Sequence, residues 1–281
     1  MKKLLLYIMT AILSLSLLAC SRAKDAKETV VSPIATQALT EAATVTPTLA
    51  PSPTAIPTQA PIDKVIAFTE DSYKEEFFTE DKVLYSTIET IYPILSGNSD
   101  SIKKINDSIM EVKNAFIESS KEYGDTVLEE PSFVHEEYFY AYDFYQSYSI
   151  EYNENGILNI VLHGYEYTGG AHGMPSAISL IYDLNTGEEL RLNDFLAVDE
   201  AAFHERVYQA FEKLYLENPE NFFEGESLTY MDEGISLDMN FNLSKEGVTF
   251  YFHPYEVSYY AAGFIETMIP WSDPIFKDIQ K

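Results

Sequence analysis

The chain has almost no cysteine and few basic side chains, and both shortages exclude classes of function. A single Cys, at position 20, rules out a disulfide framework and any cysteine-built zinc site. Eighteen Lys and Arg stand against 45 Asp and Glu, for a net charge of −27, and no basic cluster follows the first three dozen residues. Duplex affinity comes largely from cations that neutralise phosphates, so nucleic acid is not an expected partner. Only one apolar run is long enough to approach a bilayer span, and it lies at the start. No G-x-S-x-G elbow, phosphate-binding loop or helical pair of zinc histidines occurs; His204-Glu205 is only half of the last pattern. No catalytic motif is found, and neither a cofactor nor a metal is expected. What the chain does hold is 21 Tyr and 17 Phe in 281 residues, too rich an aromatic load for a disordered chain.

Lys2 and Lys3 precede an apolar run from Leu4 to Leu18 that closes on Ala19 and Cys20, the pattern of a secretory signal. From Ser21 to Ile62 there is no aromatic residue and no glycine, while Pro33, Pro47, Pro51, Pro53, Pro57 and Pro61 alternate with Thr, Ala and Ser. Such a segment cannot build a core. In polyproline II, at about 3.1 Å per residue, it would hold a body up to ~100 Å away. The stretch from Asp63 onward carries the whole charge excess, 13 basic against 42 acidic side chains, or −29.

Within that body the spacing predicts a strand over Val83–Leu95 running into the turn Ser96-Gly97-Asn98. A helix capped by Ser99 or Asp100 follows, with Ile102, Ile105, Ile109, Val112, Phe116 and Ile117 on one stripe. Tyr138, Tyr140, Tyr142, Phe144, Tyr148, Ile150 and Tyr152 keep one parity into Asn153-Glu154-Asn155-Gly156, after which Ile157–Tyr167 supplies an antiparallel partner. A one-parity tyrosine series reads as a sheet face in the core or as a platform for sugars. Ser176–Leu184 and Glu188–Leu192 read as a second hairpin around Asn185-Thr186-Gly187, a turn that explains those residues better than a calcium loop would. Asp199 caps a helix striped by Phe203, Val207, Phe211, Leu214 and Tyr215 and ended by Asn218-Pro219. Leu237–Leu243, Val248–Phe252 and Gly263–Ile269 complete the strands. The expected fold is α+β, a mainly antiparallel sheet with two principal helices on one face, arranged as two intimately packed half-domains.

The most distinctive motif is Tyr165-Glu166-Tyr167-Thr168-Gly169-Gly170-Ala171-His172-Gly173. Its glycines serve either a structural turn or a ligand loop made of Tyr167, Gly169, Gly170, His172 and Gly173. Followed by Ile181-Tyr182-Asp183-Leu184-Asn185-Thr186-Gly187-Glu188-Glu189-Leu190 and Leu192-Asn193-Asp194-Phe195, the motif resembles the extracytoplasmic domain of RsiV-type anti-sigma factors. So do Phe250-Tyr251-Phe252, Pro254-Tyr255-Glu256-Val257, Tyr260-Ala261-Ala262-Gly263 and Ile269-Pro270-Trp271. Upstream, Tyr92-Pro93-Ile94-Leu95-Ser96-Gly97 and Ile105-Asn106 resemble the accessory domain of PdaC-type peptidoglycan deacetylases. Leu17-Leu18-Ala19-Cys20 resembles the lipobox of bacterial lipoproteins, which implies a diacylglycerol on Cys20; the alternative is a signal anchor with an incidental cysteine.

These resemblances imply a division into a signal peptide (1–19), a lipidated cysteine and linker (20–62), a PdaC-accessory-like half-domain (63–174) and an RsiV-like half-domain (175–281). They imply an extracytoplasmic, lipid-anchored location on a bacterial membrane. RsiV-type ectodomains are lysozyme receptors, so the implied partner is a lysozyme-like or other cationic wall-associated protein. The alternative is peptidoglycan, bound as an accessory to a wall enzyme. Ligand binding is what carries over, without sigma-factor signalling or deacetylation.

Overall fold

The structure, a computed structural model, describes residues 65–279; Cys20 and the segments on either side of it lie outside the described residues. The first strand, β1 (Phe68–Phe78), pairs antiparallel with β2 (Leu84–Leu95). Nothing in Phe68-Thr-Glu-Asp-Ser-Tyr-Lys-Glu-Glu-Phe-Phe78 alternates cleanly, because β1 is an edge strand exposed along nearly its whole length. The burial that writes a period-two pattern into a sequence is missing there.

Helix α1 (Asp100–Asp125) starts where its sequence says it should. The Ser99 hydroxyl accepts from the Ile102 N–H at 3.2 Å, and Ile102, Ile105, Ile109, Val112 and Phe116 form the buried stripe. The helix carries the chain across the sheet, so β3 (Tyr142–Glu154) lies parallel to β2, with Ser86 opposite Tyr142 and Thr90 opposite Gln146. A parallel pair needs a crossover of this length. It is the one departure from antiparallel pairing in the sheet.

Strand β4 (Ile157–Tyr167) follows β3 through the two-residue turn Asn155-Gly156, both residues at positive φ. Strand β5 (Met174–Asp183) then pairs antiparallel with β4 and completes the order β1-β2-β3-β4-β5. Even-numbered residues of β4 and β5 turn toward α1, and Leu158, Ile160, Leu162, Leu180 and Tyr182 pack with its stripe. The tyrosine parity of β3 divides. Phe144 and Tyr152 are buried, whereas Tyr138 and Tyr140 precede the strand and stand in solvent.

The second expected hairpin shrinks to a single bridge, Tyr182 to Glu189. The Asp183 carboxylate accepts from the Asn185 and Thr186 N–H groups at 2.7 and 3.3 Å, which closes the turn locally. The chain then enters the short helix α2 (Leu192–Phe195) instead of extending a strand. In α3 (Glu200–Glu217) the Asp199 carboxylate accepts from the Ala202 N–H, and Phe203, Val207 and Phe211 are wholly buried. After α4 (Ser227–Gly234), only the end of the expected 237–243 strand forms β6 (Phe241–Leu243); Met239 N–H donates back to Ser236 and curls the rest into a turn. Strands β6, β7 (Gly247–Phe252) and β8 (Ile265–Pro270) make a separate antiparallel sheet.

The two principal helices therefore serve different sheets. The larger core lies between α3 and the three-stranded sheet, and it takes in Tyr152 and Ile181 from the five-stranded sheet. Asn159, with no exposed surface, crosses that junction: its amide oxygen accepts from the Leu243 N–H at 2.7 Å, and its nitrogen donates to Ser179 Oγ at 2.7 Å. His253 makes a second crossing, with Nε2 3.1 Å from both the nitrogen and the oxygen of Ala177. Both crossings join a loop or edge of one sheet to β4 or β5 of the other.

Candidate functional site

The glycine-rich loop between β4 and β5 is built from two kinds of glycine. Gly169 and Gly170 sit at φ 99° and 85°, a region that side chains strain, with open space where a Cβ would be. Gly173 is different. A Cβ there would run into the Tyr165 ring and come within 2.7 Å of the Glu166 carbonyl, so only glycine lets the tyrosine lie across the loop. Tyr167 donates its hydroxyl to Gly170 O at 3.1 Å and closes the turn.

What the loop holds up is His172. Its ring stacks on Tyr260 with centroids 3.6 Å apart and planes 16° from parallel, and Tyr255 lies on a third plane 6.2 Å away. The imidazole Nδ1 lies 3.0 Å from Gly173 O, which can only accept, so Nδ1 carries the proton and Nε2 is free to accept from the Tyr255 hydroxyl at 3.3 Å. Tyr260 donates to Gly173 O at 2.9 Å, and Gly173 N–H donates to Tyr165 Oη at 3.2 Å. Tyr255 is held at φ 73°, left-handed for a residue with a side chain, by the turn in which its N–H reaches Ser258 O. Backbone strain of this kind persists where surrounding structure enforces it, and it is often found at binding sites.

Of the five residues singled out in the sequence, all lie on this loop. The structure adds Tyr165, Tyr255 and Tyr260, the last two brought in from more than 80 positions away. Farther along the same turn Tyr259 meets Phe223 edge-on at 5.0 Å, and Phe223 in turn meets Tyr230. His172, Tyr165, Tyr255, Tyr259 and Tyr230 are all exposed. Exposed aromatic groups gathered in one place mark interaction sites more often than scattered ones do.

The electrostatics of the site are one-sided. No Lys or Arg occurs between Lys121 and Arg191, and between Lys213 and Lys277 there is only Lys245, which pairs with Glu154. The segments that form the loop and its tyrosines thus bring carboxylates without cations. Glu226 accepts from Tyr230, and Glu256 accepts from the His253 N–H. Beside the loop, Glu166 is half-buried, and desolvation pushes its carboxyl above the usual carboxylate range. The folded state therefore holds a proton on Glu166 more tightly than the unfolded chain does. Its stabilising effect is complete below the unfolded pKa and fades as pH rises through the raised one. Glu166→Gln should therefore raise the melting temperature at pH 7 and leave it unchanged at about pH 4. A thermal melt at both pH values checks this, and equal shifts at the two would refute it.

Other constellations are chemically quieter. His163 Nε2 and Ser149 Oγ are 2.8 Å apart, but Ser149 donates its proton to Glu151 at 2.6 Å. The histidine must then donate to the serine, which holds the hydroxyl in place instead of activating it. Among the described residues no group of three or more His, Cys, Asp or Glu side chains is arranged to hold a metal ion. An open cavity near Asn218, Phe222, Phe264 and Glu266 brings in one titratable group only.

A two-sheet α+β body with an aromatic, acid-rimmed loop surface is the class of protein this geometry defines. Residues 78–175 match the family model described as Deacetylase PdaC, and residues 193–272 match that of a Protein of unknown function, DUF3298. The two matched segments follow one another along the chain, and the resemblance to RsiV-type ectodomains is consistent with the second match. No catalytic domain is evident among the described residues. A crystal structure of a DUF3298 family member from Bacteroides fragilis is similar in fold, with a TM-score of 0.56 at 21% identity over 77% of this chain and 95% of that one. A DUF3298 family protein from Pseudomonas aeruginosa aligns at 0.52 with 19% identity, over 77% and 97% of the two chains. No curated protein matches the chain. No helix among the described residues is long and apolar enough to cross a membrane.

Proposed function

We propose that the protein is an extracytoplasmic ligand-binding lipoprotein, anchored through Cys20 on a proline-rich stalk, whose aromatic loop binds a lysozyme-like or other cationic wall-associated protein. The observation that carries this reading is the stack of exposed His172 and Tyr255 with half-buried Tyr260 on a surface supplied with carboxylates and almost no cations. Rigid aromatic anchors provide contact area at low entropic cost, and a one-signed field steers an oppositely charged partner and excludes like-charged ones. Arg and Lys side chains of the partner gain further from lying over tyrosine faces. On this reading residues 63–174 and 175–281 are two half-domains, with the loop, Tyr165 and Tyr167 at the end of the first and Tyr255 and Tyr260 supplied by the second.

A second reading, glycan binding in support of a wall enzyme, is favoured by the PdaC match and by the exposed tyrosines. His172→Ala separates a ligand site from a merely structural turn. Removing the imidazole takes away one face of the stack and should weaken binding to a lysozyme about tenfold, the equivalent of ~1.4 kcal/mol. The ring is exposed, so the melting temperature should move little. Lost stability with unchanged affinity would assign the loop to structure alone.

A further inference from the structure

The five-stranded sheet has a face that the described chain leaves largely uncovered. α1 packs on the side that carries Ile88, Phe144, Ile160 and Leu180. On the opposite side the second sheet reaches only the β4–β5 margin, where Val161 and Ala177 meet Tyr251 and Phe264. Strand register fixes what lies on the rest. Lys74, Glu89, Tyr145 and Tyr165 form one row across β1 to β4, and Glu76, Thr87, Asp143 and Tyr167 form the next. Ser147 opposite His163 continues the series. Neighbours in such rows stand about 5 Å apart.

This face is neither a failed core nor an ordinary solvated one. Ile91 is its one aliphatic side chain on β2 between Glu89 and Pro93, so it lacks the apolar centre on which protein interfaces depend. It does present two adjacent tyrosine rings: Tyr145 is half-buried and Tyr165 is 38% exposed. Its one cation, Lys74, is already paired with Glu89 at 2.9 Å. Asp143 is left facing solvent beside Tyr167, and partial burial holds its carboxyl above the usual range despite the opposing pull of Lys74.

A flat surface of tyrosine rings, short hydroxyls and uncompensated carboxylates matches the two sides of a sugar chain. The C–H face of a pyranose stacks on an aromatic ring, and its edge offers hydroxyls to Thr87, Ser147 and the carboxylates. The charge selects among sugars. Uronic or phosphorylated chains would be repelled, whereas an amino group left free on the ring would meet a carboxylate in a charge-assisted hydrogen bond.

We propose that the open face of the five-stranded sheet, centred on Tyr145 and Tyr165, binds a glycan chain that bears free amino groups. Sugar rings lie on the tyrosines and an ammonium group meets Asp143. The site is separate from the aromatic loop and does not depend on the loop's protein ligand. Tyr165 touches both, since its hydroxyl accepts from Gly173, so Tyr145 and Asp143 are the discriminating positions.

The test is calorimetric titration of the full chain with a short glucosamine oligosaccharide and with its fully N-acetylated counterpart, at low salt. The free-amine oligomer should bind, and the acetylated one should bind at least about fivefold more weakly. Tyr145→Ala should weaken the free-amine oligomer about tenfold and Asp143→Asn about fivefold, while His172→Ala leaves it unchanged. Melting temperatures of both sheet variants report whether they fold, and Asp143→Asn on the exposed surface serves if Tyr145→Ala does not. Absence of binding by the free-amine oligomer overturns the proposal. So does unchanged affinity in both variants, or displacement by a lysine peptide of equal charge at equal affinity, which would mark a non-specific anionic surface.

Discussion

Asn159→Ala is expected to destabilise the body by about 3 kcal/mol. Asn159 is wholly buried on β4, and its amide nitrogen has alternatives: Ser179 Oγ at 2.7 Å, then Leu180 O and Ile160 O at 3.3 Å. Its oxygen has one task, to accept from Leu243 N–H at 2.7 Å, and Leu243 is itself fully buried in β6. Truncation strands that N–H in the interior, at a cost of ~1–3 kcal/mol, and the small cavity left behind adds to it. For a body of this size the melting temperature should fall by about 6–12 °C. Ser179→Ala removes a partner that the amide can replace, so it should cost about 1 kcal/mol or less. Because the bond joins the two sheets, wild type and variant should each melt in one transition. A loss below ~1 kcal/mol, or two separated transitions in the wild type, would show that the sheets are not coupled through this side chain.

The second large effect falls outside the described residues. Cys20→Ala should abolish incorporation of a radioactive fatty acid and move the protein from the membrane fraction to the supernatant. One acyl chain gives only marginal membrane binding, and stable anchoring takes more than one. On the lipoprotein reading the expected change is therefore all-or-none, because the diacylglycerol would be carried by this one thiol. Label retained in the mutant would end the lipoprotein reading. Unlabelled protein that stays with the membrane would favour the signal anchor.

The elements most legible in the sequence were those whose signals are local. Ser99 and Asp199 cap their helices from one turn away, and Asn155-Gly156 can close a hairpin only one way. The buried stripes of α1 and α3 follow from the 3.6-residue period alone. Elements whose form depends on distant partners were not legible. β1 is charged on both sides because it is an edge, and the parallel pairing of β3 with β2 is decided by where α1 lands. Residues 237–240 alternate like a strand yet curl away, because Met239 turns back on Ser236. The site divides in the same way. Glycine spacing marked the loop, but Tyr255 and Tyr260 reach it from the far end of the chain. Their only advance sign was the recurrence of Pro254-Tyr255-Glu256-Val257 and Tyr260 as a family ending.

The central claim is that this acidic, aromatic loop surface receives a cationic wall-associated protein. Titration of the full chain with a purified lysozyme at low and at physiological ionic strength tests it most directly. The account predicts saturable one-to-one binding that weakens as salt rises and drops about tenfold or more on Tyr255→Ala. No measurable binding at low salt, or binding indifferent to both salt and Tyr255, would contradict it.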